Sequence, residues 1–100
     1  MKFPKPERPE RGTKAAREYM DLAAQLGCAC CGRSPVVLHH PIAGRGSQRR
    51  ASDLDVIPLH PECHDRLHSA PASWFRENGL DTDHIAPTRA AVARLKEMMV

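Results

Sequence analysis

Residues 28–68 read CACCGRSPVVLHHPIAGRGSQRRASDLDVIPLHPECHDRLH, and this stretch decides the fold. It opens on a thiol-rich turn, Cys28-Ala-Cys30-Cys31-Gly32. Residues 36–40 (VVLHH) follow as a short strand, whose extended end is favoured because Pro41 disfavours helix at His40. Residues 43–53 form a polar loop bearing Gly44 and Gly46. Residues 55–59 read as a second strand, interrupted by Pro58. Pro61 suits the first turn of a helix over about residues 61–69. The order strand, loop, strand, helix predicts a small α+β fold.

Working outward, Thr13 can cap a helix running to about Leu26 with Gly27 just past its end. Ala16, Tyr19, Met20, Ala23 and Leu26 recur at helical spacing and form its apolar face. Downstream, the pattern predicts a short helix over 72–78 ended by Gly79. A last helix is expected over 88–99 with Val92, Leu95 and Met99 inward. Residues 1–12 carry Pro4, Pro6 and Pro9 among charges and read as an extended basic arm, leaving residues 13–100 as a single domain.

The chain has 100 residues, of which only 4% are aromatic, so a single core is thin and calls for a staple. Four Cys and six His supply the means. No apolar run approaches the ~20 residues of a membrane span, and MKFPKPERPERG lacks the apolar core of a secretory signal. A reducing, cytoplasmic setting is therefore expected, where clustered Cys are metal ligands before they are disulfides. A membrane protein, a coiled coil and a large α/β enzyme are excluded. Net charge is +3, and residues 1–14 hold five cations (Lys2, Lys5, Arg8, Arg11, Lys14) against Glu7 and Glu10. Arg45, Arg49 and Arg50 form a second basic spot in the loop between the strands. Both point to a polyanion such as DNA, with a solvated tail as the plainer alternative for the arm.

Two ligand patterns overlap. Cys28-x-x-Cys31 and His60-x-x-Cys63 are two knuckles whose three thiolates and one imidazole make a closed structural Zn²⁺ set. Cys30 could replace either neighbour, but the spacing favours Cys28 and Cys31 and leaves Cys30 a spare thiol. The second pattern is His39-His40 followed by His64-x-x-x-His68. His64 and His68 share one helix face, whereas neighbouring His39 and His40 on a strand point apart. One of that pair can bind metal while the other addresses a water. Three neutral imidazoles leave positions open for water and substrate, as a catalytic divalent ion requires. His60 and His64 are also four apart, so spacing alone leaves the division between sites open. Asp53, Asp65 and Glu62 read as surface acids or as supports behind the ligands. Trp74 and Phe75 read as core and His84 as surface.

With these motifs in order, residues 28–68 resemble an HNH endonuclease of the ββα-metal (His-Me finger) group. Within it, LHHPIAGRGSQRR, VIPLHPECHDRLH and WFRENGLD are similar to the phage Ref-type recombination nucleases that act with RecA. The resemblance implies a ββα-metal core with a zinc knuckle pair and flanking helices. It implies His40 as general base and His39, His64 and His68 as ligands of a catalytic ion, Mg²⁺ or Mn²⁺, with Zn²⁺ an alternative. Asp55 matches the middle Asn that braces the loop and orients the base. Two departures stand out: Asp replaces that Asn, and His60 replaces the commoner Cys. The implied activity is hydrolysis of DNA phosphodiesters, with Arg45, Arg49 and Arg50 holding flanking phosphates and a RecA-type filament as a further partner. The competing reading is a non-catalytic zinc module that binds nucleic acid or protein. That reading leaves His39, His40, His64 and His68 without purpose. A Cys28-x-x-Cys31 redox protein is weaker still, since the βαβ context is missing.

Overall fold

A computed structural model describes residues 12–43 and 52–99. The arm before Gly12 and the loop that carries Arg45, Arg49 and Arg50 lie outside them. The architecture is α+β: one two-stranded sheet and four helices. Strands β1 (Val37–His39) and β2 (Ile57–Leu59) pair antiparallel, with Val37 opposite Leu59, Leu38 opposite Pro58 and His39 opposite Ile57. Pro58 is tolerated because each strand of a two-stranded ribbon has a free edge. Its carbonyl accepts the Ala29 N–H at 2.8 Å and so ties the thiol turn to β2.

Both strands are shorter than expected. Asp55 belongs to a 3₁₀ turn, Asp53–Asp55, that starts where the Ser52 side chain accepts the Leu54 N–H at 3.1 Å. A Ser–Asp pair offers the backbone this local bond in competition with the sheet. Helix α1 (Lys14–Ala23) begins at Thr13, whose hydroxyl accepts the Ala16 N–H at 3.0 Å. It stops three residues before Leu26, and the chain tightens through bonds from Gln25 to Leu22 and from Leu26 to Ala23, each 3.1 Å. Gly27 is therefore not a helix terminator. A Cβ there would lie 2.6 Å from the Gly32 carbonyl oxygen, so the position must stay bare for the thiol turn to close.

Helix α2 (Pro61–Ser69) matches its sequence reading, and α3 (Pro71–Asn78) starts on a proline and ends at Gly79 with φ +81°. A second 3₁₀ turn, Asp81–His84, leads into α4 (Ile85–Met98), which begins three residues earlier than expected. Pro87 falls in its first turn, where a missing N–H costs nothing. Met99 is 64% exposed rather than inward, while Val92 is buried and Leu95 half-buried.

The core has two parts. Cys28, Ile57, Leu59, Cys63, Leu67 and Trp74 form one, with Ala23, Val56 and Val92 in the other. Val56 and Ile57 are adjacent and point to opposite sides, so the segment is covered on both faces by α1 and α4 on one and by α2 and α3 on the other. Two of the larger cluster's six members are cysteines. Part of what is usually hydrocarbon is thus sulfur.

Candidate metal centres

The thiol turn is built from its backbone. Cys28 Sγ accepts the N–H groups of Cys30 at 3.3 Å and Cys31 at 3.4 Å. Gly32, at φ +76°, donates to the Cys28 carbonyl at 2.9 Å and closes the turn. Cys63, in the first turn of α2, completes the group: the sulfurs of Cys28, Cys31 and Cys63 all lie within 4.8 Å of one another. Sulfurs bound at ~2.3 Å to one tetrahedral ion would stand about 3.8 Å apart, so the three fit a metal.

The electrostatics of the three differ. Arg33 Nε donates to Cys31 Sγ at 3.3 Å and brings that thiol down to about 7. Burial, followed by hydrogen bonding with the neighbouring thiols, pushes Cys63 up to about 12. Three crowded sulfurs cannot all carry charge without a cation among them.

His60 is not drawn into this group. Pro61 holds it extended (φ −58°, ψ 143°), and its Nδ1 accepts the Glu62 N–H at 3.3 Å as the cap of α2. Only Nε2 of its ring is left for a ligand. Cys30 turns elsewhere, its thiol donating to Asn78 Oδ1 at 3.1 Å. Glu62 is an exposed partner of Arg33.

The second group is the one that strand alternation and helical spacing anticipate. His39 ends β1 and is 2% exposed, whereas His64 and His68 stand one turn apart on α2. Ligand nitrogens of all three lie within 4.8 Å of one another. The three rings meet edge to face, with centroids 5.2, 5.3 and 4.5 Å apart. His64 Nε2 and His68 Nε2 are 3.0 Å apart. Two nitrogens at ~2.1 Å from one ion would be separated by about 3.0–3.4 Å, so this spacing suits a shared metal. Burial first, then the proximity of His68 and His39, lowers the pKa of His64 and favours the neutral, ligating form.

Behind His39 lies a residue that sequence reading missed. Asp81 is fully buried, and its Oδ2 is 2.8 Å from His39 Nε2. It also accepts the N–H groups of Ile42 at 2.7 Å and Ala43 at 3.0 Å. Burial alone would raise its pKa, but the bonds from His39 and the two amides outweigh it and hold the carboxyl below its ordinary value. An ionised carboxylate only accepts, so His39 Nε2 carries the proton and Nδ1 is the nitrogen left for a metal. Asp81 closes the WFRENGLD segment, but no spacing there marks it as a partner of His39, because its partners are about forty residues away.

His40 points away from this group, and its Nε2 is 2.8 Å from Asp53 Oδ1. Its side chain is 32% exposed, while that of Asp53 is 10% exposed. Asp53 is therefore not a surface acid; its other oxygen accepts the Gly12 N–H at 2.8 Å. The expected partner, Asp55, is elsewhere. It pairs with Arg89 of α4, whose Nε also donates to the Leu54 carbonyl at 3.0 Å. The acid that orients His40 is thus two residues earlier than the motif suggested, because the 3₁₀ turn rotates Asp53 and Asp55 to different sides. Asp65 belongs to neither metal group. His84 is not a plain surface residue; it rests against Trp74 and donates from Nε2 to the Asn78 carbonyl at 2.8 Å.

The family model described as "Protein of unknown function (DUF968)" matches residues 2–92. The chain belongs to the DUF968 family. No curated protein and no solved structure matches it. The DUF968 match spans both metal groups, Asp53 and Asp81 alike, so the constellation lies wholly within the family's matched region. Among the described residues no helix is long and apolar enough to cross a membrane.

Proposed function

We propose that this DUF968 chain is a metal-dependent DNA endonuclease or nickase of the ββα-metal type, with β1, β2 and α2 as its catalytic core. The observation that carries the reading is the divided histidine pair: His39 turns to His64 and His68, and His40 turns to a carboxylate of its own. A purely structural zinc module needs neither arrangement. In this reading Cys28, Cys31 and Cys63 hold the structural Zn²⁺, with His60 Nε2 or a water as the fourth ligand. His39, His64 and His68 hold the second ion. That donor set is all nitrogen, which suits Mn²⁺ or Zn²⁺ better than Mg²⁺. When bound, the ion supplies positive charge to the scissile phosphate and to the leaving oxygen.

The chain's own residues do the rest. His40 donates through Nε2–H to Asp53, which fixes the tautomer and leaves Nδ1 to accept a proton from water. The resulting hydroxide attacks phosphorus, the P–O3′ bond breaks, the departing O3′ takes a proton from water, and His40 returns its proton to solvent. The Asp53 carboxylate stabilises the imidazolium that forms. Arg45, Arg49, Arg50 and the cations of the arm grip flanking phosphates, which positions DNA without reading its sequence. A recombinase filament is the partner that would direct such a sequence-blind enzyme to its target. The test is supercoiled plasmid incubated with Mn²⁺ or Mg²⁺, wild type beside His40→Ala. Conversion to open-circle or linear DNA by the wild type alone is expected. A His40→Ala protein that cuts as fast as wild type sinks the reading.

A further inference from the structure

We propose that Asp81 sets the metal affinity of the imidazole group, by holding His39 with Nε2–H toward the protein and Nδ1 toward the ion. The inference rests on the group being a metal site, as argued above, and adds a positioning residue that no ligand motif contains.

The carboxylate is wholly enclosed and its bonds are all directed at one corner of the fold. A buried carboxylate is costly unless every oxygen is well partnered. Here Oδ2 receives both His39 and Ile42, and Oδ1 receives Ala43. If the task were only to tie down residues 42 and 43, a neutral acceptor would serve. A charge is wanted where its partner must be kept in one tautomer and made electron-rich, and His39 is that partner. A carboxylate behind a ligating imidazole does both, and removing such a support typically weakens metal binding ~10–100-fold. His39 itself is 2% exposed, so it has no solvent route by which to exchange tautomers cheaply. The other two rings need no such support: both reach the group through Nε2 from consecutive turns of α2.

The geometry also places the third element of the site outside residues 28–68. Asp81 opens the 3₁₀ turn between α3 and α4, so the metal site depends on a segment beyond the second ligand helix.

The test uses the full chain with its thiol site loaded with zinc and titrates Co²⁺ by calorimetry. Asp81→Asn keeps the side-chain size and removes the charge. Its Co²⁺ dissociation constant should rise about 10–100-fold, with thiol-bound zinc unchanged. In a His39→Gln background the same substitution should have no further effect on Co²⁺ affinity. Co²⁺ affinity unchanged by Asp81→Asn, or losses that simply add in the double variant, would overturn the inference. A wild-type measurement covers the case of a variant that does not fold. Long-range ¹H–¹⁵N spectra should show His39 protonated at Nε2 without metal and shifted at Nδ1 when Co²⁺ or Zn²⁺ is added; protonation at Nδ1 would overturn it. Asp81-dependent Co²⁺ binding in a protein that never cuts DNA would refute the nuclease reading and keep this one. Cleavage with Asp81-independent Co²⁺ binding would do the reverse.

Discussion

Replacing Asp53 with alanine should slow DNA cleavage without emptying either metal group. The bond at stake joins His40 Nε2 to Asp53 Oδ1 at 2.8 Å, with the acid side chain 10% exposed and the histidine 32% exposed. A hydrogen bond to a charged group in such a setting contributes about 1.5–3 kcal/mol. At ~1.4 kcal/mol per factor of ten, that becomes a loss of about 10- to 150-fold in rate. The partly open His40 edge favours the lower half of that range, since water can replace some of what the acid provides. Asp55→Ala is the companion. Its partner Arg89 is 53% exposed and the pair lies at the surface, so about 0–1 kcal/mol of stability is involved and none of it reaches His40. Single-turnover nicking of supercoiled plasmid, with zinc content and circular dichroism measured alongside, reads both variants. If Asp55→Ala slows cleavage as much as Asp53→Ala, the assignment of the orienting acid is wrong. If neither slows it by more than twofold, the dyad has no role in the reaction.

Four further outcomes follow from the geometry. His40→Ala should cut the rate by about 10²–10⁴ with metal binding intact, whereas raised Mn²⁺ should partly restore His39→Ala and His68→Ala; rescue of His40→Ala alone would mean base and ligand are exchanged. Cys31→Ser should lose zinc and with it the fold, because its group shares Cys28 and Cys63 with the larger core cluster; folded, zinc-free protein by elemental analysis would contradict this. Gly27→Ala should destabilise by about 1–3 kcal/mol, since the 2.6 Å contact with Gly32 must open; an unchanged melting temperature would show that the turn yields freely. Deleting residues 1–11, which removes Lys2, Lys5, Arg8 and Arg11 with Glu7 and Glu10, should weaken DNA binding most at low salt; equal affinity at low ionic strength would make the arm a solvated tail.

The legible parts of the site were those written in short spacings. The x-x separation of Cys28 and Cys31, the i, i+4 pair His64 and His68, and the alternation of His39 and His40 are backbone periodicities, and the two metal groups follow them. The supports were not legible. Asp53 and Asp81 act through loops whose direction depends on capping by Ser52 and on packing around β1, and no periodicity encodes that. Asp55 misled because a motif position was read as a side-chain direction, although a 3₁₀ turn intervenes. His60 carries two assignments at once: the knuckle spacing fits zinc through Nε2, while Pro61 makes the residue before it the cap of α2 through Nδ1. At the end of α1, Gly27 was read for its ordinary preference as a helix terminator, whereas a close backbone approach to Gly32 is what keeps the position bare.

One helix carries pieces of both centres. Cys63 and His64 are consecutive on α2, about 100° apart around its axis, so one reaches the sulfur side and the other the imidazole side. In the proposed reading that linkage sets an order of assembly: sulfurs closed on a structural ion fix the rotation of α2 and present His64 and His68 together to His39. Loading would then be sequential, with a slow first ion that completes folding and a fast second one that meets a finished site. A chelator strong enough to strip only the imidazoles would leave a silent protein that revives within the mixing time. One that reaches the sulfurs would leave a chain that has to refold before it can recover.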